Sequence, residues 1–134
     1  MKFLLDSDTC IRLIRTKRRD LQDSYLRYSP WDGAISTISL FELATGALKS
    51  EQPQKSRDVL FRFASRFHIL DFDLEAANEA AKIRAGLEKK GAKIGPYDNL
   101  IAAIAKSNDL ILVTNNTREF KRVKGLKVEN WLKS

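Results

Sequence analysis

Apolar positions along the chain fall into two alternating kinds of run. The first kind is short and nearly continuous. Residues 2–5, KFLL, form an apolar run that ends in acid, the pattern of a buried parallel strand. The segment DGAISTIS at 32–39 holds a second strand, HILDFD at 68–73 a third, and LILVTNN at 110–116 the clearest one, β-branched and stopped by two asparagines. KVENW at 127–131 predicts a last short strand. The second kind of run has helical spacing. Residues 8–17 place Cys10, Ile11, Leu13 and Ile14 on one side, and a polar helix is expected at about 20–28. Ser39 is expected to open a helix through LFELATGALKS. Residues 54–66 read as a basic amphipathic helix with Val59, Leu60, Phe63 and Phe67 on or near one face. LEAANEAAKIRAGLEKKG is a long helix ended by Gly91. In GPYDNLIAAIA, Pro96 suits the first helical position, where its missing N–H costs nothing, and Asp98 then falls in the first turn.

Strands that alternate with helices predict an α/β domain with a mostly parallel sheet covered on both faces. The length of 134 residues suits a single domain, 1–134, and no repeat, linker or low-complexity tract divides it. In such sheets ligands bind beyond the carboxyl ends of the strands, which directs attention to the residues just after each strand.

Composition narrows the chemistry. One cysteine, Cys10, excludes an internal disulfide framework and a Cys-rich zinc site, and suits a reducing, cytoplasmic setting. One histidine, His68, excludes a multi-histidine metal site. Its segment FHILDF reads as a buried strand edge, which argues against a Ser-His-Asp triad, so Cys10 and His68 are read as structural. No run of about 18 apolar residues predicts a membrane span. The apolar run of MKFLLDSDT is too short for a signal peptide. A net charge of +7 favours a polyanionic partner, nucleic acid or an acidic protein.

Polar residues at the element ends carry the remaining signal. Asp6 and Asp8 follow the first strand, Glu42 lies in the first turn of the helix begun by Ser39, Asp98 lies in the first turn of its own helix, and Asn115 and Asn116 follow LILVT at 110–114, with Glu119 close by. Each has a purely architectural explanation. Asp6 or Asp8 can cap a helix. Ser39 and Glu42 fit the Ser-x-x-Glu capping box. Asp98 can complement a helix dipole, and Asn116 suits a turn. Taken together they gather on one edge of a parallel sheet, and carboxylates so placed repel unless their pKa values rise or a cation sits among them. An all-oxygen set without His or Cys selects a hard ion, Mg²⁺ or Mn²⁺. With a basic surface, the set reads as a metal-dependent nuclease acting on phosphodiesters.

Four motifs in order, FLLDSDTCIRLI, ISTISLFELATGA, IGPYDNLIAAIA and LVTNNTREFKRVKGLKVENW, resemble those of PIN-domain ribonucleases, and most closely the VapC toxins of VapBC type II toxin–antitoxin pairs. The resemblance spans nearly the whole chain. It implies a PIN-like three-layer domain with a mostly parallel sheet of about five strands flanked by helices. It matches Asp6, Glu42 and Asp98 to the family's three main acids, Asn116 to a fourth position where many members carry Asp, and Glu119 to an acid near the site in close relatives. It implies Mg²⁺ or Mn²⁺ as cofactor and RNA as substrate, typically a tRNA cut in the anticodon loop or a ribosomal RNA loop, so that translation stops. The implied partners are a VapB antitoxin that wraps the toxin and inserts a basic side chain at the acids, a second toxin copy, and promoter DNA bound through the antitoxin. Two positions depart from the pattern: Asp8 stands where a neutral amide is usual, and Asn116 where Asp is common.

The roles expected within this frame are specific. Asp6 and Asp98 bind metal. Glu42 either binds metal or orients the attacking water. Asn116 holds a metal-bound water or a phosphate oxygen. Ser7 and Thr114 hydrogen-bond the carboxylates from behind. Asp8 either binds metal or caps the first helix. Arg15, Lys17, Arg18 and Arg19 form either a phosphate-contacting run or a solvated face, and Tyr97 and Trp31 are candidates to stack on bases. Two rival readings stay open here. LLDSDT also resembles the Asp-x-Asp-x-Thr motif of haloacid-dehalogenase-like phosphatases, in which Asp6 would be the nucleophile and Asp8 the acid/base. The other rival is a PIN-like module that binds RNA or protein without turnover.

Overall fold

The structure, a computed structural model, describes residues 1–16 and 32–131. The helix expected at 20–28, Lys17, Arg18, Arg19 and Trp31 lie outside the described residues. Five strands, β1 (Phe3–Leu5), β2 (Gly33–Ser36), β3 (His68–Leu70), β4 (Ile111–Val113) and β5 (Val128–Glu129), form one sheet in the order β3-β2-β1-β4-β5. Every pairing is parallel, with Leu4 opposite Ala34 on one side and Leu112 on the other. The helices are α1 (Ser7–Arg15), α2 (Thr37–Leu48), α3 (Pro53–Ala64), α4 (Leu74–Lys90), α5 (Pro96–Ser107) and the short α6 (Thr117–Phe120).

Strand alternation splits the core in two. Leu4, Ala34 and Leu112 face α4 and α5, where Ala76, Ala80, Ile83 and Leu87 meet Ile101 through Ala105. Phe3, Leu5, Ile35 and Val113 face the other way, onto Cys10 and Leu13 of α1, Leu43 of α2, Leu60 of α3 and Trp131. The central strands are buried on both faces, which explains why they read as continuous apolar runs. Three alanines in the middle of α5 let it pack closely on α4, and the Asn99 side chain donates to the Ala80 carbonyl at 3.2 Å. No described helix is long and apolar enough to cross a membrane.

Two expectations need correction. Ser39 does not open α2. Ser36 is the cap, accepting the Ser39 N–H on its hydroxyl at 3.0 Å, and the helix starts at Thr37. Ser36 ends the paired part of β2, opposite Leu70, so the sheet decides which serine caps. The Ser39–Glu42 capping box therefore does not form, and Glu42 stands in the second turn. The strand at His68 is also not a buried edge: Ile69 is 43% exposed, because β3 has a neighbour on one side only. Phe67, just beyond α3, packs on the same core face as Phe63, as expected, with its ring edge-on at 5.0 Å.

Candidate active site

The chain runs outward from β1 to β2 and β3, then returns to lay β4 and β5 on the other flank of β1. That reversal opens a crevice at the carboxyl ends of β1 and β4, the general ligand position in such sheets. A pocket of about 470 Å³ lies there, lined by Asp6, Ser7, Asp8, Glu42, Asp98 and Asn116, with Ile11 and Asn115 completing the wall.

Asp6 sits where β1 becomes α1. Its N–H pairs with the Val113 carbonyl at 3.0 Å. One carboxylate oxygen accepts the Thr9 N–H at 2.8 Å as the helix cap, and the other accepts the Thr114 hydroxyl. Two oxygens offer about four lone-pair sites, so capacity remains for another ligand. Asp6 is 4% exposed, and burial pushes its carboxyl above the usual range, against the pull of the Thr114 and Thr9 hydrogen bonds.

Glu42 reaches the pocket from α2. The Ser7 hydroxyl donates to its Oε1 at 2.7 Å and lies 2.9 Å from the Ser39 hydroxyl. Asp98 arrives from the start of α5, where Gly95 gives no side-chain cap. Its half-buried carboxyl is pushed up to about 7 by desolvation first, then by the charges of Glu119, Asp6 and Glu42. Glu119, from α6, accepts the Gly95 N–H at 2.7 Å and the Asn116 side-chain amide at 2.5 Å. A Cβ at Gly95 would lie 3.3 Å from Asp98 Oδ2 and 3.7 Å from Glu119 Oε1, so a side chain there would press on both acids.

The crevice thus brings together Asp6, Ser7, Asp8, Glu42, Asp98, Thr114, Asn116 and Glu119. Asp8 faces outward in part: its carboxylate pairs with Arg12 Nε at 3.1 Å along α1, so the cap of that helix is Asp6. Tyr97, 45% exposed, stands beside Asp98 and meets Phe41 edge-on, with ring centroids 5.6 Å apart. Arg15 is set apart, on an apolar groove between α1, α2 and α3 that Glu42 also borders. Sequence reasoning did not pick out Phe41. The available signal was its place before Glu42, the same aromatic–acid order as Tyr97–Asp98. The contact of Glu119 with the Gly95 N–H, 24 residues away, carried no local signal.

The donor set is all oxygen. Among the described residues no three acidic, His or Cys side chains converge closely enough to enclose an ion by themselves. An open arrangement of this kind suits Mg²⁺, which keeps several waters and takes one or two carboxylates.

Comparison with known proteins gives the family. Residues 3–126 match the family model of the PIN domain. The chain is 42% identical to the tRNA(fMet)-specific endonuclease VapC of Shigella flexneri over 131 residues, covering 98% of each. It is also 42% identical to Ribonuclease VapC2 of Haemophilus influenzae over 133 residues, covering 98% of this chain and 99% of the relative. The crystal structure of DNA-bound VapBC from Salmonella typhimurium contains a chain of similar fold, with a TM-score of 0.93, 42% identity and 98% of each chain covered. A chain in the promoter-DNA-bound VapBC2 structure from Rickettsia felis gives a TM-score of 0.89 at 34% identity, over 98% of this chain and 99% of that one. The chain belongs to the PIN-domain family and, within it, to the VapC ribonucleases.

Proposed function

We propose that this ribonuclease is a divalent-metal-dependent toxin that cuts a structured RNA, tRNA before ribosomal RNA, and so arrests translation. The supporting observation is the crevice itself: acids from the end of β1, α2 and α5 meet at one sheet edge, where desolvation and then the neighbouring carboxylates push the Asp98 carboxyl up to about 7. The tRNA(fMet) specificity of the relatives makes that tRNA the first substrate to try, and its anticodon loop the first place to look.

Mg²⁺ or Mn²⁺ fits the donors present. Asp6 and Asp98 would hold it. When bound, such an ion supplies a water of lowered pKa and a counter-charge to the phosphate. Glu42, fixed by Ser7, either joins these ligands or orients the attacking water. Thr114 holds Asp6 in place from behind, and Glu119 keeps the Gly95 turn and Asn116 in register. Asn116 supplies a neutral amide for a water or a phosphate oxygen. Asp8 modulates the charge at the pocket rim. Tyr97, backed by Phe41, offers a face on which a base beside the cut can stack. Arg15, Lys17, Arg18 and Arg19 are the proposed phosphate-contacting run.

The VapBC complexes among the relatives, two of them DNA-bound, support a VapB-type antitoxin as the restraining partner and promoter DNA as a ligand of the complex; a toxin homodimer, with the antitoxin holding the DNA, completes the proposal. The setting proposed is the cytoplasm. The phosphatase reading loses ground because Asp8, its required acid/base, is paired with Arg12.

The test is cleavage. The purified chain is incubated with total tRNA and ribosomal RNA, with Mg²⁺, Mn²⁺ or chelator, and new ends are mapped by sequencing. One metal-dependent cut, lost in Asp98→Asn, is expected. No cut with either metal, together with no metal binding by calorimetry, would sink the proposal in favour of a binding module.

A further inference from the structure

Outside the acid crevice, positive charge concentrates in a groove of about 240 Å³ where α4, α5 and the segment after α6 meet. Lys82, Lys90, Lys106, Arg122 and Lys124 line it, against one acid, Glu79. Glu79 is matched by Lys106, whose Nζ lies 3.1 Å away. Lys82, Lys90, Arg122 and Lys124 are exposed. Arg122 spends one of its five donors on the Lys93 carbonyl at 3.0 Å. The floor is apolar and buried, with Ile83, Leu87 and Val123, so the lysine stems can lie on it while their ammonium groups reach outward. Like charges gathered around one groove repel one another, and a polyanion relieves that repulsion.

The shape of α4 points the same way. Lys82, Gly86 and Lys90 are spaced four apart, which sets them in a row along one helix face. The two lysines are about 12 Å apart along the axis, with the glycine midway. Glycine weakens a helix interior relative to alanine, and nothing in the packing calls for it: a Cβ at Gly86 would meet nothing within 4 Å. The result is an open saddle between two cations. The groove and the crevice are tied to the same elements. Arg122 binds the backbone of Lys93, two residues before the Gly95 turn that holds Glu119. Along α5, Lys106 lies eight residues, about 12 Å, from Asp98.

We propose that this groove is a second phosphate-backbone subsite for the RNA substrate, which grips a structured RNA at a distance from the cut. It rests on the ribonuclease reading above. It explains how a small open active site selects a folded RNA over a short strand with the same sequence at the cut.

The experiment compares bulk tRNA with a short oligoribonucleotide spanning the mapped cut. Binding is measured across a salt series in an Asp98→Asn background, and cleavage in the wild-type background. Lys82→Gln/Lys90→Gln/Lys124→Gln is expected to lower tRNA affinity by about tenfold or more. It should also flatten the log-affinity against log-salt slope by about 0.7–0.9 per lost phosphate contact. Cleavage of the oligonucleotide should stay unchanged. Gly86→Glu is the second variant: glutamate favours helix over glycine, so the fold is kept while a carboxylate enters the saddle, and the same selective loss is expected. Lys→Arg replacements at the three sites should keep tRNA affinity. Unchanged tRNA affinity and slope in both variants would overturn the subsite. Equal losses on tRNA and oligonucleotide would overturn it too, since the effect would then lie at the cut. Failure of the wild type to cleave either RNA would instead overturn the ribonuclease reading.

Discussion

Two aspartates stand at two helix starts and do different things. Asp73 precedes α4 and spends its carboxylate on the fold, accepting the Ala76 N–H at 2.9 Å. Asp98 lies inside the first turn of α5, whose cap is Gly95 and which has no side-chain cap bond. Its carboxyl is turned among other acids and pushed up to about 7. Both positions satisfy the rule that acids favour helix N-termini, so sequence position alone does not separate them. What separates them is company. Asp73 meets a backbone donor, whereas Asp98 meets Glu119, Asp6 and Glu42. Asp6 combines both roles, capping α1 while lining the crevice. A carboxylate that the fold leaves in repulsion is one whose local stability has been given up for chemistry.

The sharpest break between the two is activity. Asp98→Asn should lower RNA cleavage by at least about a hundredfold, the scale of losing one charged group at a phosphoryl centre. Asp73→Ala should leave cleavage unchanged per folded molecule. Initial rates on the mapped RNA, normalised to folded protein by circular dichroism, make the comparison. If Asp98→Asn keeps wild-type rates, the crevice is not the catalytic centre.

The second prediction concerns pH. The folded pKa of Asp98, about 7, lies above its ordinary value of 3.8, so the folded protein binds the proton more tightly than the unfolded chain does. The stabilisation from that proton is therefore full in acid and is lost as pH rises from about 4 to about 7. Asp6, also raised, acts in the same direction. Metal-free protein should lose thermal stability over this range by more than Asp98→Asn does, and Mg²⁺ or Mn²⁺ should restore it. A wild-type curve parallel to that of the variant would remove Asp98 from the repulsive cluster.

The third prediction reverses the sign. Asp73→Ala should cost about 1 kcal/mol of stability, as helix caps do. Asp98→Asn should cost nothing at neutral pH in the absence of metal. Urea denaturation of both variants gives the two numbers.

The same contrast shows what was legible in the sequence. Helix α4 with its Gly91 stop and α5 with Pro96 at its start could be read locally, because their signals lie within one or two turns of the ends they mark. The acids of the crevice could be listed for the same reason. Their arrangement was legible only through the sheet-edge rule and the family resemblance. The expected bonds of Thr114 to Asp6 and of Ser7 to Glu42 form, but across 108 and 35 residues no local pattern encodes them. The misplaced cap of α2 is the clearest case. Ser36 and Ser39 are both suitable caps, and only the end of pairing between β2 and β3 chooses Ser36. Glu42, released from a capping box, is then available to the crevice.

The smallest effect concerns the neighbouring pair Asp6 and Asp8. Both line the crevice, two residues apart, yet Asp6 is buried with its two oxygens engaged, and Asp8 is half exposed and paired with Arg12. An exposed ion pair spaced four residues apart on a helix is worth a few tenths of a kcal/mol. Asp8→Asn should therefore change stability by less than about 0.5 kcal/mol. It also places at this position the neutral amide that the resemblance implies, so cleavage should stay within a few-fold of wild type, while Asp6→Asn should abolish it. Rates for the two variants, measured side by side at saturating metal, decide the matter. If Asp8→Asn falls as far as Asp6→Asn, Asp8 is a metal ligand, and its pairing with Arg12 must give way when the ion binds.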